Sequence, residues 1–358
     1  RYKDMSLPPS GEIPQGAIRF NTDSQRLEFY AQGEWWIMST DTPNLGQSSD
    51  TQPGARGVFQ GGLTPSESST VDYINIASTG NAIAFGNLSF NRRLGAAFAS
   101  STRVFSVGGY NGVSNVDEIE YFTIASTGSR VDFGSNLSNG NRTNAGAANA
   151  TRGLSFAGMS PKADEIDYIT MASDGSGVGS FGVPIMTPGS QIAQAYGTAS
   201  PTRAIFGGGE TPGRINTIQF VTISTLGNAQ DFGDLSAAVS GIAAFGNATR
   251  GIFGGGEIAP TFLNTMQSVN FASTGNATTF GELLQSGGLR QQGSASSPTR
   301  GVFAGGSNDT PSPSTVYNQI QYVNISTEGD AVDFGDLSGG TGRWQIMNGT
   351  TSNGHGGL

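Results

Sequence analysis

Hydrophobic residues in this chain occur in short runs separated by glycine, asparagine, serine and threonine. The runs are rich in β-branched and aromatic residues, which favour strands, and they span about four to seven positions each. No stretch has the apolar spacing of an amphipathic helix. The pattern therefore predicts an all-β protein made of many short strands.

The runs recur in six blocks of about fifty residues, and each block carries the same landmarks in the same order. The first landmark is an arginine before an apolar run and Gly-Gly, at Arg56, Arg103, Arg152, Arg203, Arg250 and Arg300. The second is a segment like Ile-x-Ser-Thr-Gly, which ends at Gly80, Gly128, Gly175, Gly227, Gly275 and Gly329. The third is Phe-Gly, which begins at Phe85, Phe133, Phe181, Phe232, Phe280 and Phe334. A run of small residues then leads to the next arginine.

Four strand candidates in each block indicate one blade of a β-propeller. A parallel β-helix is the alternative, but its coils are shorter than these blocks. The order of Gly-Gly, tyrosine, a late aromatic residue and arginine resembles the kelch repeat over residues 51–358, although phenylalanine stands where kelch repeats usually have tryptophan. The expected fold is an all-β, six-bladed kelch-like β-propeller preceded by a small N-terminal β-hairpin module.

The two ends of the repeat region indicate how the ring would close. The first block lacks a small-residue strand before Arg56, whereas the last continues past Leu337 into GRWQIMNGTTSNGHGGL. We expect this tail to complete the first blade, because closure removes free sheet edges. The expected domains are the hairpin module at 1–40, a polar linker at 41–54 and the propeller at 55–358.

Residues 1–50 do not follow the repeat, and they read as two or three alternating strands. This segment resembles a hairpin found in tail-fibre and other virion proteins of tailed bacteriophages. The matching positions are Gly16, Arg19, Phe20, Asn21, Thr22, Asp23, Glu28, Tyr30 and Trp35. Together with the glycine-rich kelch-like array, the resemblance implies a structural protein of a tailed phage of marine cyanobacteria.

Charge and composition exclude several classes of function. The formal charge of −9 and the absence of a basic run argue against a nucleic-acid partner. No run of eighteen apolar residues predicts a membrane span, and the lack of cysteine excludes disulfides and thiolate metal sites. We therefore expect no nucleic acid, no membrane, no metal and no cofactor.

The residues available for catalysis are few. His355 is the only histidine, and without cysteine a catalytic triad would depend on that residue in the tail. A propeller glycosidase is an unfavoured alternative, because Ser173-Asp174-Gly175 has the wrong spacing for the sialidase hairpin motif. The sequence predicts a protein that is not an enzyme.

The six repeated arginines have two interpretations. They could form a ring that binds an anionic glycan or a partner's carboxylates. The simpler interpretation is architectural, with each guanidinium bound to carbonyls of a neighbouring blade or to Asp132, Asp231 and Asp333. If the arginines are architectural, residues that bind a ligand or partner are expected where the repeats differ.

The blocks differ most in the loop after Gly-Gly, and equivalent loops of a propeller lie on one face. Loops on a rigid scaffold often carry recognition, although neutral divergence of the surface explains the variation equally well. The candidate ligand-binding or partner-binding residues are Tyr110, Asn111, Lys162, Arg214, Phe262, Asp309 and Tyr317.

These observations predict a non-enzymatic virion structural protein of a tailed phage, in the tail, a fibre or the capsid surface. The expected location is the surface of the extracellular particle. The expected partners are other virion proteins through the N-terminal module, further copies of the chain, and a host-surface glycan at the loops. A bacterial cell-surface adhesin or lectin is the alternative.

Overall fold

The computed structural model describes residues 13–21, 26–37, 56–159, 164–185, 191–308 and 315–358. In this part of the chain the regular elements are β-strands, apart from a short 3-10 turn at Ser338–Gly340. The chain divides into two compact units, Arg1–Ser48 and Ser49–Leu358. The all-β prediction is confirmed, whereas the predicted linker at 41–54 lies outside the described residues.

The first unit contains a three-stranded antiparallel sheet in the order β1-β2-β3. Its strands are β1 (Ile18–Asn21), β2 (Arg26–Ala31) and β3 (Glu34–Ile37). Gln32 and Gly33 connect the last two strands, and their φ values of 56° and 85° are both left-handed. Two left-handed residues are typical of the type I′ turn, which matches the twist of a hairpin.

The second unit contains six antiparallel sheets, here called sheets 1 to 6 in chain order. Sheet 1 contains β4 (Arg56–Gln60), β7 (Thr70–Asn75) and β8 (Ile83–Asn87), and its loop holds the pair β5 (Leu63–Thr64) and β6 (Ser66–Glu67). Sheet 2 contains β9 (Ala96–Ala99), β10 (Arg103–Tyr110), β11 (Asn115–Thr123) and β12 (Val131–Asp132). Sheet 3 contains β13 (Ala145–Ala148), β14 (Arg152–Phe156), β15 (Ile166–Thr170) and β16 (Gly179–Gly182).

The remaining sheets repeat this plan. Sheet 4 contains β17 (Tyr196–Ala199), β18 (Arg203–Gly207), β21 (Thr217–Thr222) and β22 (Gln230–Asp234), with β19 (Glu210–Thr211) and β20 (Gly213–Arg214) in its loop. Sheet 5 contains β23 (Ala243–Gly246), β24 (Arg250–Gly254), β25 (Thr265–Asn270) and β26 (Thr278–Glu282). Sheet 6 contains β27 (Gly293–Ser296), β28 (Arg300–Ala304), β31 (Gln319–Asn324) and β32 (Val332–Asp336), with β29 (Ser307–Asn308) and β30 (Thr315–Val316) in its loop. The arrangement is propeller-like.

Each landmark of the sequence has a fixed place in these sheets. In sheets 3 to 6 the small-residue strand is at one edge, the arginine strand is next to it, the strand that leads to Ser-Thr-Gly is third, and the Phe-Gly strand is at the other edge. Sheet 2 has the same order, with one strand of the tail paired to its small-residue strand. The edge strands of small residues are fully buried. Small side chains are needed there, because these strands pack closely against one another.

Sheet 1 has three strands of its own, and the last part of the chain lies beside it. The amide of Val58 donates to the Thr351 carbonyl at 3.1 Å, and the Met347 amide donates to the Gln60 carbonyl at 3.0 Å. The same segment forms β33 (Asn348–Thr350), which pairs in parallel with β9 of sheet 2. The tail thus lies between the first two sheets.

Backbone hydrogen bonds join consecutive sheets at the landmarks. The second glycine of Gly-Gly donates to a carbonyl just before the next small-residue strand, as in the bonds from Gly62, Gly109, Gly158, Gly209, Gly256 and Gly306 to Arg92, Asn141, Ile192, Val239, Leu289 and Arg343. The glycine of Ser-Thr-Gly donates to the phenylalanine carbonyl of the preceding Phe-Gly, as in the bonds from Gly128, Gly175, Gly227, Gly275, Gly329 and Gly80 to Phe85, Phe133, Phe181, Phe232, Phe280 and Phe334. The last bond runs from sheet 1 to sheet 6. These landmarks therefore recur because they connect the sheets.

A third set of bonds surrounds the small-residue strands. One residue in front of each strand, or in front of the tail, has a left-handed backbone, namely Leu94, Thr143, Gln194, Gly241, Gln291 and Gln345. The amide of each donates to the carbonyl of the previous member, and Leu94 donates to Gln345 at 3.0 Å. The six bonds thus form a continuous cycle.

Candidate functional site

The six repeated arginines contact the main chain of the following sheet. Each guanidinium donates through Nη1 to a carbonyl in the Ser-Thr-Gly segment of the next sheet. The pairs are Arg56 with Ile124 (2.5 Å), Arg103 with Met171 (3.0 Å), Arg152 with Ile223 (2.6 Å), Arg203 with Phe271 (2.7 Å), Arg250 with Ile325 (3.2 Å) and Arg300 with Ile76 (3.3 Å). A charged donor on a carbonyl is a strong hydrogen bond, and this geometry accounts for the recurrence of arginine.

Most of these guanidiniums also lie over an aromatic ring of their own sheet. The ring is Tyr73, Tyr121, Tyr168, Phe220 or Tyr322, at 4.3 to 4.9 Å from the guanidinium carbon to the ring centroid. Two of the three carboxylates that we expected beside these arginines have other donors: Asp132 accepts from the Gly134 amide, and Asp333 accepts from the side chain of Gln319. The acid on Arg103 is instead Asp174, at 2.6 Å. Asp174 directly precedes the glycine of a Ser-Thr-Gly segment, whereas the expected acids precede Phe-Gly. The turn of the Ser-Thr-Gly segment lies beside the arginine of the previous sheet, which explains the difference.

The tail fills the space between the small-residue strands. Strand β33 contacts the edge strands of sheets 2 to 6, and almost every residue of 345–358 is buried. The Thr351 hydroxyl donates to the Ser294 carbonyl at 2.6 Å, and the Gly356 amide donates to the Gly246 carbonyl at 3.1 Å. The axis of the unit is thus occupied by the chain's own residues.

His355 is part of this packed tail. Its Nε2 lies 2.7 Å from the Ala99 carbonyl and donates to it, while Nδ1 accepts from the Gly357 amide at 3.1 Å. Burial lowers the pKa of His355 to about 4, and the bond to Ala99 opposes that shift only in part. The imidazole is therefore neutral at pH 7, with both nitrogens bound to the main chain.

The loops after Gly-Gly and the residues in front of the small-residue strands lie at one end of the sheets, here called the loop face. Bridges join these two sets, as in Arg93 with Tyr110, Arg142 with Met159 and Ser240 with Glu257. Tyr110 is the centre of one cluster. The guanidinium carbons of Arg93 and Arg142 lie 5.3 and 4.7 Å from its ring centroid. Arg93 also pairs with Glu67 at 3.1 Å.

A second cluster on the loop face surrounds Glu257. This carboxylate pairs with Arg214 at 2.6 Å and with Arg290 through its other oxygen. The Arg290 guanidinium carbon also lies 5.3 Å from the Phe262 ring centroid and 5.2 Å from that of Trp344. The loop face therefore combines cations, a carboxylate and half-buried aromatic rings.

The predicted loop residues divide into three groups. Tyr110, Arg214 and Phe262 belong to the two clusters described above. The Asn111 side chain accepts from the Val113 and Ser114 amides at 2.9 and 2.8 Å, so it shapes its own turn, and Tyr317 packs partly buried against the core. Lys162 and Asp309 lie outside the described residues.

Sequence reasoning missed the arginines that precede the small-residue strands. Arg93, Arg142 and Arg290 reach the loop face from there, and Trp344 does so from the tail. The sequence gives no clear signal for them, because the left-handed position that follows each is constant in backbone conformation but not in residue type.

Comparison with known proteins adds no assignment, since no protein-family model and no curated protein matches this sequence. Within the described ranges, no group of three or more His, Cys, Asp and Glu side chains could hold a metal ion. The same residues contain no helix that is long and apolar enough to cross a membrane.

Proposed function

We propose that this chain is a non-enzymatic structural protein of a tailed-phage particle, in which the N-terminal sheet attaches to the particle and a six-bladed kelch-like propeller is displayed. The loop face of the propeller binds an anionic glycan of the host surface. The observation that carries the proposal is the contact cluster formed by the phage-like residues of the N-terminal sheet.

Five of the nine residues that carry this resemblance lie together on one face of that sheet, whereas Phe20 lies on the other face and Thr22 and Asp23 lie outside the described residues. Arg19 pairs with Glu28 at 2.8 Å, and Asn21 donates to the same carboxylate at 2.8 Å. The Arg19 guanidinium carbon lies 4.1 Å from the Trp35 ring centroid, and Trp35 contacts Tyr30 at 5.3 Å between centroids. These five matching positions are thus one interacting set, which is what a shared module requires.

The opposite face of the sheet is apolar and exposed. Ile18 is 63% exposed, Phe20 is 59% exposed and Trp36 is 50% exposed. Neighbouring exposed apolar side chains on one small sheet are typical of an interaction surface. This face supports attachment to another protein of the particle.

A six-bladed propeller is supported by the count and direction of the inter-sheet bonds. Four sets of six hydrogen bonds connect the sheets, and in three of the sets a bond links sheet 6 or the tail with the beginning of the unit. The tail lies beside β4 of sheet 1, although its strand β33 pairs with β9 of sheet 2. A ring tied in this way gives the rigid scaffold that display of loops needs.

Glycan binding at the loop face is supported by Arg142. Its guanidinium lies against Tyr110, and among the described residues no carboxylate pairs with it. An unneutralised guanidinium beside an aromatic ring suits a sugar that carries a carboxylate or sulfate. A non-enzymatic role is supported by His355, because both of its ring nitrogens are bound to the main chain inside the tail.

Attachment is tested by incorporation into particles. A tagged copy of the chain, supplied from a plasmid during infection, is expected in purified particles. The variant with Phe20→Glu and Trp36→Glu should be excluded from them, whereas Val113→Glu, at an 88% exposed residue of the loop face, should enter like the unaltered chain. A copy without residues 1–50 that still joined the particles would refute the proposal.

Glycan recognition is tested on an array of anionic and neutral glycans with the purified chain. Binding to an anionic member should be lost in Arg142→Ala. Arg130→Ala removes the same charge outside the loop face and should leave binding unchanged. Equal binding by both variants, or no binding to any anionic glycan, would exclude this role for the loop face.

A further inference from the structure

A pocket of about 240 Å³ lies beside Arg250, away from the loop face. Ser268, Thr278 and Glu328 also line it, together with the turn of the Ser-Thr-Gly segment of sheet 5. Ser268 and Thr278 are cross-strand neighbours on β25 and β26, so the floor of the pocket is a pair of small polar side chains. The pocket is open to solvent.

The pocket exists because one repeat lacks an aromatic residue. The position of Ser268 is occupied in the other five sheets by Tyr73, Tyr121, Tyr168, Phe220 and Tyr322. In each of those sheets the ring lies under the repeated arginine of the same sheet. In sheet 5 the described ring contact of Arg250 is with Phe280, at 5.9 Å, and serine leaves the intervening space open.

Sheet 2 shows how a hydroxylated ring occupies the equivalent place. The Tyr121 ring lies 4.3 Å from the Arg103 guanidinium carbon, and its hydroxyl donates to Asp174 at 2.9 Å. Asp174 belongs to the Ser-Thr-Gly segment of sheet 3 and also pairs with Arg103. Glu328 is the residue at the same place in the segment of sheet 6, directly before Gly329. Arg250 and Glu328 thus reproduce the cation and the carboxylate, without the phenol.

We propose that this pocket is a binding site for a phenol, whose ring lies under Arg250 and whose hydroxyl donates to Glu328. Its volume is sufficient, because a cavity of about 150 Å³ holds benzene. A cation over a ring and a hydroxyl on a carboxylate are both favourable contacts, and the carboxylate selects a hydroxylated ring over a plain one. The ligand is either a free small phenol or a tyrosine side chain of another protein.

The experiment is a calorimetric titration of the full chain with 4-methylphenol, with saturation-transfer NMR as a second readout. We expect one site per chain, and toluene should bind roughly three- to ten-fold more weakly because it lacks the hydroxyl. Ser268→Tyr should fill the pocket and abolish binding, whereas Ser268→Ala is the matched control and should retain it. Glu328→Gln should reduce the preference for 4-methylphenol over toluene.

Several results would overturn the proposal. Binding that survives Ser268→Tyr, a stoichiometry above one in the unaltered chain, or no binding of 4-methylphenol at solubility-limited concentration would each do so. Binding of a methyl glycoside in place of the phenol would also contradict it. N-acetyltyrosinamide distinguishes the two sources: affinity at least equal to that of 4-methylphenol assigns a tyrosine side chain, and weaker affinity assigns a free phenol.

Discussion

The pH dependence of stability should report directly on the buried tail, through His355. This is the only histidine of the chain, so no other imidazole contributes to the same titration. The pKa of the buried side chain is about 4, against 6.5 for an exposed one. Because the folded-state pKa is the lower of the two, the unfolded state takes up the proton first as the pH falls. The stabilisation is therefore present above pH 6.5 and is lost as the pH falls towards 4.

The size of the effect follows from the shift. One pKa unit corresponds to about 1.4 kcal/mol, so the full shift is worth about 3 kcal/mol, of which about 2 kcal/mol is lost between pH 7 and pH 5. Carboxylates titrate in the same range, so the comparison needs a variant without the imidazole. His355→Gln retains a donor for the Ala99 carbonyl and does not titrate.

The assay is urea unfolding of both proteins at 25 °C from pH 7 to pH 4.5, after removal of any histidine tag. The stability of the original chain should fall by about 2 kcal/mol more than that of His355→Gln between pH 7 and pH 5. The imidazole Hε1 resonance of the folded chain should not titrate above pH 5. Parallel stability profiles, or an imidazole that titrates near pH 6.5, would refute the placement of the tail at the axis.

Three further predictions concern the sheets. Glu120→Gln should destabilise the fold by about 3 to 5 kcal/mol, because it leaves the fully buried Arg92 guanidinium without its carboxylate. The double variant Glu120→Gln, Arg92→Leu should regain most of this stability, because sheets 4 to 6 have an apolar residue and a glutamine at the two equivalent positions. Gly86→Ala should cost more than about 2 kcal/mol, because its Cβ would lie 2.5 Å from the Gly128 carbonyl oxygen, and Gly213→Ala, in open space, should change stability by less than about 0.5 kcal/mol. Burial and the charge of Glu165 raise the pKa of Asp167 to about 6, so stability falls as the pH rises from 4 to 6, and Asp167→Asn should gain about 1 to 2 kcal/mol at pH 7. Equilibrium unfolding in urea measures the stability of all these variants. The first prediction fails if the double variant is as unstable as Glu120→Gln, and the second fails if the two glycine variants have equal effects. The third fails if Asp167→Asn is less stable than the original chain at pH 7.

The strand content of the repeats was predictable because periodicity and turn residues encode it locally. The reason for each landmark was less accessible, since the contact that requires it lies in another block. For example, the glycine after Phe85 is needed because the Gly128 turn of the next sheet approaches it. Likewise, the acid beside Arg103 comes from a turn 71 residues later in the chain, and no local pattern indicates it.

The burial of the tail and the residues of the candidate site were harder to predict from the sequence. We expected the tail to complete the first blade, and it does lie beside β4, but its strand pairs with β9 of sheet 2. The segment NGTTSNGHGGL is polar and rich in glycine, so its sequence does not indicate that it is buried among the small-residue strands of five sheets. Variability of a loop and an aromatic or polar side chain on it do not distinguish Asn111, a turn residue, from Tyr110, which lies between two arginines.

The most direct test of the proposed role is quantitative mass spectrometry of purified phage particles from lysates of marine cyanobacteria, combined with electron microscopy of particles labelled with antibody against the propeller. The proposal predicts peptides from this chain at a fixed ratio to the other virion proteins, and label at a defined place on each particle. Absence of the chain from particles, with the protein found on the bacterial cells instead, would contradict the proposal and favour an adhesin.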